Sequence, residues 1–202
     1  MFYIKQTLLL IFSVLIFGCA TEIGHDDSAN QDNSNTEKAE NLSASEEEFS
    51  RYKEAITYLS DNKLDQAQTL LVEFTKIRPE LAGPWTNLAL IKIKQNDFES
   101  AESLINTALA KNPEQPQALN LLATIRVQQG KIIEAEKLYL KSISLKPDYP
   151  LAHYNLALLY DIYLQNIPQA IIHYTSYLEL NKETDTVTKD WLEQLKASQT
   201  KG

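Results

Sequence analysis

Residues 82–115 read AGPWTNLALIKIKQNDFESAESLINTALAKNPEQ, and residues 116–149, PQALNLLATIRVQQGKIIEAEKLYLKSISLKPDY, restate the same pattern after 34 positions. Laid over one another, they match at the eighth position (Ala89, Ala123), the twentieth (Ala101, Ala135), the seventh (Leu88, Leu122) and the thirty-second (Pro113, Pro147). The register extends outward in both directions. Residues 48–81 supply Ala55, Ala67 and Pro79, with Glu54 at the seventh position. Residues 150–184 supply Leu156, Ala157 and, after one added residue, Ala170, with Lys182 in place of the proline.

A period of this length is the mark of stacked supersecondary units, each too small to bury its own apolar face. The residue types fit a helical hairpin. Alanine at positions eight and twenty lets two helices approach to roughly 8–10 Å without loss of helix propensity. Asn62, Asn96 and Gly130 fall between the helices, where the backbone turns left-handed and Gly or Asn adopts that conformation most readily. The prolines stop the second helix. Leu88 and Ile91 with Leu104, Ile105 and Leu109, and their counterparts one period on, recur at spacings of three and four and form the faces that stack.

This pattern resembles the tetratricopeptide repeat family over nearly all of residues 48–184. The resemblance implies an all-α solenoid of four helix-turn-helix repeats, 48–81, 82–115, 116–149 and 150–184. The residue added to the fourth repeat lies within Tyr160–Pro168, and a longer turn is expected there. Val187, Trp191, Leu192 and Leu195 make one apolar stripe in residues 185–202, which read as a C-terminal capping helix and tail.

In such a solenoid the first helix of each hairpin lines a groove. The resemblance places Tyr52, Thr86, Asn87, Leu90, Asn120, Thr124, Gln128, Tyr154, Asn155 and Leu158 there, beside Phe49, Ile56, Lys94 and Leu151. Amide side chains can pair with both the N–H and the C=O of an extended peptide, and tyrosine gives contact area at small entropy loss. Peptide segments or subunits of an envelope complex are therefore the expected partners. Some members of the family grip acidic tails with a Lys, Asn and Arg clamp. The matching places here hold Tyr52, Ile56, Asn87, Gln117 and Leu121, so that clamp is absent.

Upstream of the repeats the chain changes character. Lys5 precedes an eleven-residue apolar run, Thr7–Phe17, about 16 Å long as a helix against a hydrocarbon layer of roughly 30 Å, which reads as a signal peptide over residues 1–18. Ile16-Phe17-Gly18-Cys19 follows and resembles the bacterial lipobox. The resemblance implies cleavage after Gly18, acylation of Cys19 and attachment to the membrane through the lipid. Ala20 after the cysteine resembles the outer-membrane class of such lipoproteins, facing the periplasm. Residues 19–47 are expected to be an acidic, disordered tether, since Ile23 and Leu42 are almost its only apolar side chains. Its span would be roughly 30 Å.

The charge of −8 sits mainly in that segment. Residues 20–48 hold nine Asp and Glu against one Lys, whereas residues 49–202 hold eighteen against seventeen Lys and Arg. A near-neutral folded part with an acidic arm has little attraction for a phosphate backbone, which argues against nucleic acid. The one cysteine cannot form an internal disulfide. His25 with Asp26 and Asp27, and His153 with His173, lack the further ligands of a metal site, so no metal or other cofactor is assigned. No Ser-His-Asp set, phosphate loop or carboxylate pair suggests an enzyme. The reading that follows is a membrane-anchored scaffold or adaptor for a periplasmic or outer-membrane complex. Lipoproteins of similar layout serve pilus secretin assembly, TonB-type transport or cell-wall enzymes. The alternative is an accessory subunit or a cell-wall glycan-binding module.

Overall fold

The computed structural model describes residues 45–182 and 184–199, all within the unit Ala44–Gly202. Cys19, the 1–18 signal segment and the tether up to residue 44 lie outside the described residues. The first helix, α1, covers residues 45–60 of the described chain, so residues 45–47, read from sequence as the end of the tether, are helical. The hairpins follow in order: α2 (Leu64–Ile77), α3 (Ala82–Lys94), α4 (Phe98–Lys111), α5 (Pro116–Gln128), α6 (Ile132–Leu145), α7 (Pro150–Leu158), α8 (Ile167–Leu180) and α9 (Thr186–Gln199). No strand occurs among the described residues.

All eight column alanines, Ala55 and Ala67, Ala89 and Ala101, Ala123 and Ala135, Ala157 and Ala170, are wholly buried. The hairpins close through them, as the small-residue columns predict. Leu71, Ile105, Tyr139 and Tyr174 occupy one further column on the second helices and are also buried, filling the space between hairpins. Truncating such a side chain to alanine typically costs about 2–5 kcal/mol. Asn62, Asn96 and Gly130 have φ of 59°, 60° and 72°. Each sits at a helix end of Schellman type, for instance Asp97 N–H to the Lys92 carbonyl at 2.9 Å and Lys131 N–H to the Arg126 carbonyl at 2.8 Å. Pro79, Pro113 and Pro147 each follow the last residue of a second helix by two positions.

The fourth repeat absorbs its added residue in a way the sequence does not announce. The turn is not longer. α7 instead widens into a π-helical turn, Leu159–Tyr163, with Leu164 N–H bonded to the Leu159 carbonyl at 3.1 Å and Asn166 N–H to the Tyr160 carbonyl at 2.8 Å. The left-handed turn residue moves one place along to Gln165, φ 52°. Keeping the bulge inside the helix preserves the backbone bonding that a loop insertion would expose. Asn166 then caps α8 by accepting from Gln169 N–H, as Asp97 caps α4 through Ser100 N–H.

The capping helix α9 is present, but its buried register differs from the expected stripe. Thr188, Leu192 and Leu195 face the core, while Val187 is 78% exposed and Trp191 44% exposed. Two stripes one residue apart are both compatible with a 3.6-residue period. α9 takes the one that lets Asp185 cap it, through Thr188 N–H at 3.0 Å.

Candidate functional site

The four first helices, α1, α3, α5 and α7, carry the ten residues assigned to a groove, and the structure sorts them into two groups. Tyr52, Asn87, Leu90, Thr124, Tyr154, Asn155 and Leu158 are partly buried and Gln128 is exposed, whereas Thr86 and Asn120 are 3% and 2% exposed. The difference follows from the second helix of the same hairpin. Tyr52 leans on Phe74, ring centroids 4.8 Å apart, and Tyr154 on Tyr177 at 4.9 Å. At the position of Phe74 and Tyr177, the two middle repeats carry Ala108 and Ser142, both buried. A ring from the second helix holds the fifth-position tyrosine outward. Without one, the fifth-position side chain sinks. Thr86 Oγ1 then donates to the Ala82 carbonyl at 3.0 Å.

Asparagines join successive repeats. Asn87 Nδ2 donates to the Tyr52 hydroxyl at 2.9 Å, and Asn155 Nδ2 donates to Asn120 Oδ1 at 3.1 Å, each pair 35 residues apart. Between the second and third repeats the equivalent positions are Thr86 and Leu121, so the polar joints alternate with an apolar one. Each donation fixes an amide on the groove wall and leaves its own Oδ1 to accept. Burial raises the Tyr52 phenol above its ordinary range, the bond from Asn87 working against it, so the phenol stays protonated. Gly83 opens the wall beside it: a Cβ there would stand 3.1 Å from the Tyr52 hydroxyl. The hydroxyl lies over the first turn of α3 because that position has no side chain.

Two hollows lie along this face. One, about 560 Å³, is walled by Phe49, Tyr52, Phe74, Leu81, Pro84 and Pro116. The other, about 210 Å³, lies between α5, α7 and the π turn. There Thr124, Gln128, Asn155 and Leu158 are joined by Val127, Tyr139, Leu159, Ile162 and Tyr163. Tyr139 is pinned by its hydroxyl, 3.1 Å from Thr124 Oγ1, and burial pushes its pKa up to about 12. Sequence reasoning passed over Ile162 and Tyr163. The signal was available, since the same two positions in the earlier repeats hold Ser60 and Asp61, Lys94 and Gln95, Gln128 and Gln129.

Fixed charges are scarce on this half of the face. Arg126 is held by Glu102 at 2.7 Å and Glu134 at 3.3 Å, and Lys94 reaches Asn62 at 3.2 Å. His153 and His173, left apart by the sequence, meet with Nδ1 atoms 3.1 Å apart. Pro147 can only accept, so His153 Nε2–H donates to its carbonyl at 3.0 Å, and His173 Nδ1–H donates to His153. Among the described residues no group of three or more His, Cys, Asp or Glu converges as a metal set. Nor is any helix among them long and apolar enough to cross a membrane.

The architecture and its groove define a class: an α-solenoid of helical hairpins that presents one face to other chains. Residues 86–150 match the tetratricopeptide repeat, and the described residues of this chain form a tetratricopeptide repeat solenoid. Among solved structures, pilF of Pseudomonas aeruginosa is similar at 21% identity and a TM-score of 0.59, covering 76% of this chain and 77% of that one. A thermophilic tetratricopeptide repeat protein of Thermus thermophilus aligns at 18% identity and 0.60, over 72% and 79%. The first such domain of Spaghetti (RPAP3), bound to the HSP90 peptide SRMEEVD, aligns at 24% identity and 0.50, over 56% and 90%. What is shared at these identities is the fold. No curated protein sequence matches the chain.

Proposed function

We propose that this chain is a lipid-anchored adaptor of the bacterial envelope, tethered through Cys19 and holding extended segments of periplasmic or outer-membrane proteins in the groove of α1, α3, α5 and α7. The tetratricopeptide repeats make it a protein-interaction scaffold. The observation that carries the finer reading is the pair of oriented asparagines, Asn87 and Asn155, whose Nδ2 groups are spent on neighbouring repeats and whose Oδ1 atoms remain to receive peptide N–H groups. The peptide-bound Spaghetti domain supports a peptide as ligand. Its acidic peptide is not the expected type here, because the clamp places hold Tyr52, Ile56, Asn87, Gln117 and Leu121. The sequence around Cys19 supports the anchor.

A photo-crosslinking residue placed at Asn87 or Tyr154 in intact cells should capture envelope proteins that the same residue at Ile133, on the outer face of α6, does not. Equal capture at all three positions, or none, removes the groove reading. Replacing Cys19 by Ser should move the chain out of the membrane fraction with its helical content unchanged. Continued sedimentation with membranes in high salt would rule out acylation as the anchor. Saturable binding to cell-wall fragments that is lost in Tyr154→Ala would make the domain a glycan module instead.

A further inference from the structure

We infer that the hollow between α5, α7 and the π turn takes one aromatic side chain from an uncharged, extended stretch of the partner. The inference rests on the groove reading above and adds the chemistry of the segment held.

The added residue of the fourth repeat creates the feature. Ile162 and Tyr163 stand 57% and 50% exposed at the rim, where the other repeats place polar or charged side chains. Large apolar groups held in water at the mouth of a groove are the usual material of a contact surface. The hollow, about 210 Å³, is larger than the cavity of about 150 Å³ known to hold a benzene ring, and far smaller than one for a drug-sized ligand. One ring fits. Tyr139 and Tyr163 line it, and rings meeting edge to face or offset gain beyond the area they bury.

Charge selects against the alternatives. The lining holds no carboxylate, ammonium or guanidinium. The nearest such groups on these helices are committed elsewhere: Arg126 to Glu102 and Glu134, and Asp161 to Tyr174 and Trp191. A charged side chain entering here would lose hydration and meet no counter-charge. Asn155 Oδ1 and the Gln128 amide flank the opening and can pair with the backbone on either side of an inserted ring, which fits an extended segment.

The test uses the full chain against immobilised nonapeptides, acetylated and amidated at their ends. Their Ser, Asn and Gly background is constant, and only the central residue differs: Phe, Ala, Asp or Lys. The Phe peptide should bind at least about tenfold more tightly than the other three. Ile162→Ser should erase that preference, and Ile133→Ser, on the outer face of α6, should leave it unchanged. Both positions are exposed, so neither substitution threatens the fold. Binding that is indifferent to the central residue but lost in Asn155→Ala overturns the aromatic inference while the groove reading stands. Failure of the Phe peptide to bind overturns it as well. Self-association that Ile162→Ser abolishes, with no peptide bound, would assign the hollow to a second copy and likewise overturn it.

Discussion

The indole N–H of Trp191 donates to Oδ2 of Asp161 at 2.8 Å, across thirty positions of chain. The same oxygen accepts from the Tyr174 hydroxyl at 3.2 Å, so one buried carboxylate ties the π turn to α8 and to the capping helix α9. Desolvation and the neighbouring carboxylate both hold the Tyr174 phenol well above its usual range, which keeps it a donor.

Asp161→Ala leaves the buried Tyr174 hydroxyl without its acceptor and frees the indole. The expected cost is about 2–3 kcal/mol, a fall in Tm of roughly 5–10 °C, with amide exchange rising across Thr186–Gln199 before the rest of the solenoid. Trp85, whose indole donates to the Pro79 carbonyl at 3.1 Å, provides an internal control for fluorescence. Unchanged protection of α9 in this variant would show that Thr188, Leu192 and Leu195 hold the cap without the carboxylate.

That lock was only half legible in the sequence, and the reason is geometric. The period showed that the fourth repeat has one residue too many, but an insertion has no sequence mark that says whether helix or loop takes it up. The alanine columns and the turn residues Asn62, Asn96 and Gly130 were legible because a single local constraint, close approach or positive φ, dictates each. The depth of Thr86 and Asn120 was not. It is set by Ala108 and Ser142 on the paired helix, a coupling across 22 positions that no periodicity of one helix contains. The meeting of His153 and His173 is hidden in the same way.

His173 gives the domain a pH dependence of known sign. Burial first, then the charge of His153, pushes the His173 imidazole down to about 4 from an ordinary value near 6.5. The ring also stacks on Tyr160, whose hydroxyl donates to Glu136 at 2.8 Å. A base whose folded pKa is depressed binds fewer protons folded than unfolded. Stability is therefore unaffected by this group above about pH 6.5 and falls as the pH drops toward 4. The loss is of order 2 kcal/mol once partial exposure of the ring is allowed for. Urea melts at pH 7.5 and 4.5 should show a smaller acid loss for His173→Gln than for the unaltered chain. Identical losses would mean that the His173 ring does not titrate in this range.

The alanine columns should tolerate no growth. Ala89→Leu or Ala123→Leu places three carbons where two backbones meet, with expected losses of about 1–3 kcal/mol or more. Ala110→Leu, exposed on α4, should stay within about 0.5 kcal/mol. Comparable midpoints for the three variants in denaturant would mean that the columns do not set the helix spacing.

Lys182 and Gln165 both hold left-handed backbone, φ 53° and 52°, at the ends of the last two helices of the fourth repeat. A side chain there costs about 1 kcal/mol relative to glycine, so Lys182→Gly should raise Tm by roughly 2–4 °C. Gln165→Gly relieves the same strain but removes a cap. Its Nε2 donates to the Asp161 carbonyl at 2.9 Å and the Ile162 carbonyl at 3.1 Å, two acceptors that the π turn leaves without helical partners. Such bonds contribute about 0.5–1.5 kcal/mol each, so the gain from the backbone is cancelled or reversed. The two substitutions should therefore differ in sign, or nearly so, when their melts are compared. Equal stabilisation by both would mean that water serves the π-turn carbonyls as well as the glutamine does, and that the bulge persists without it.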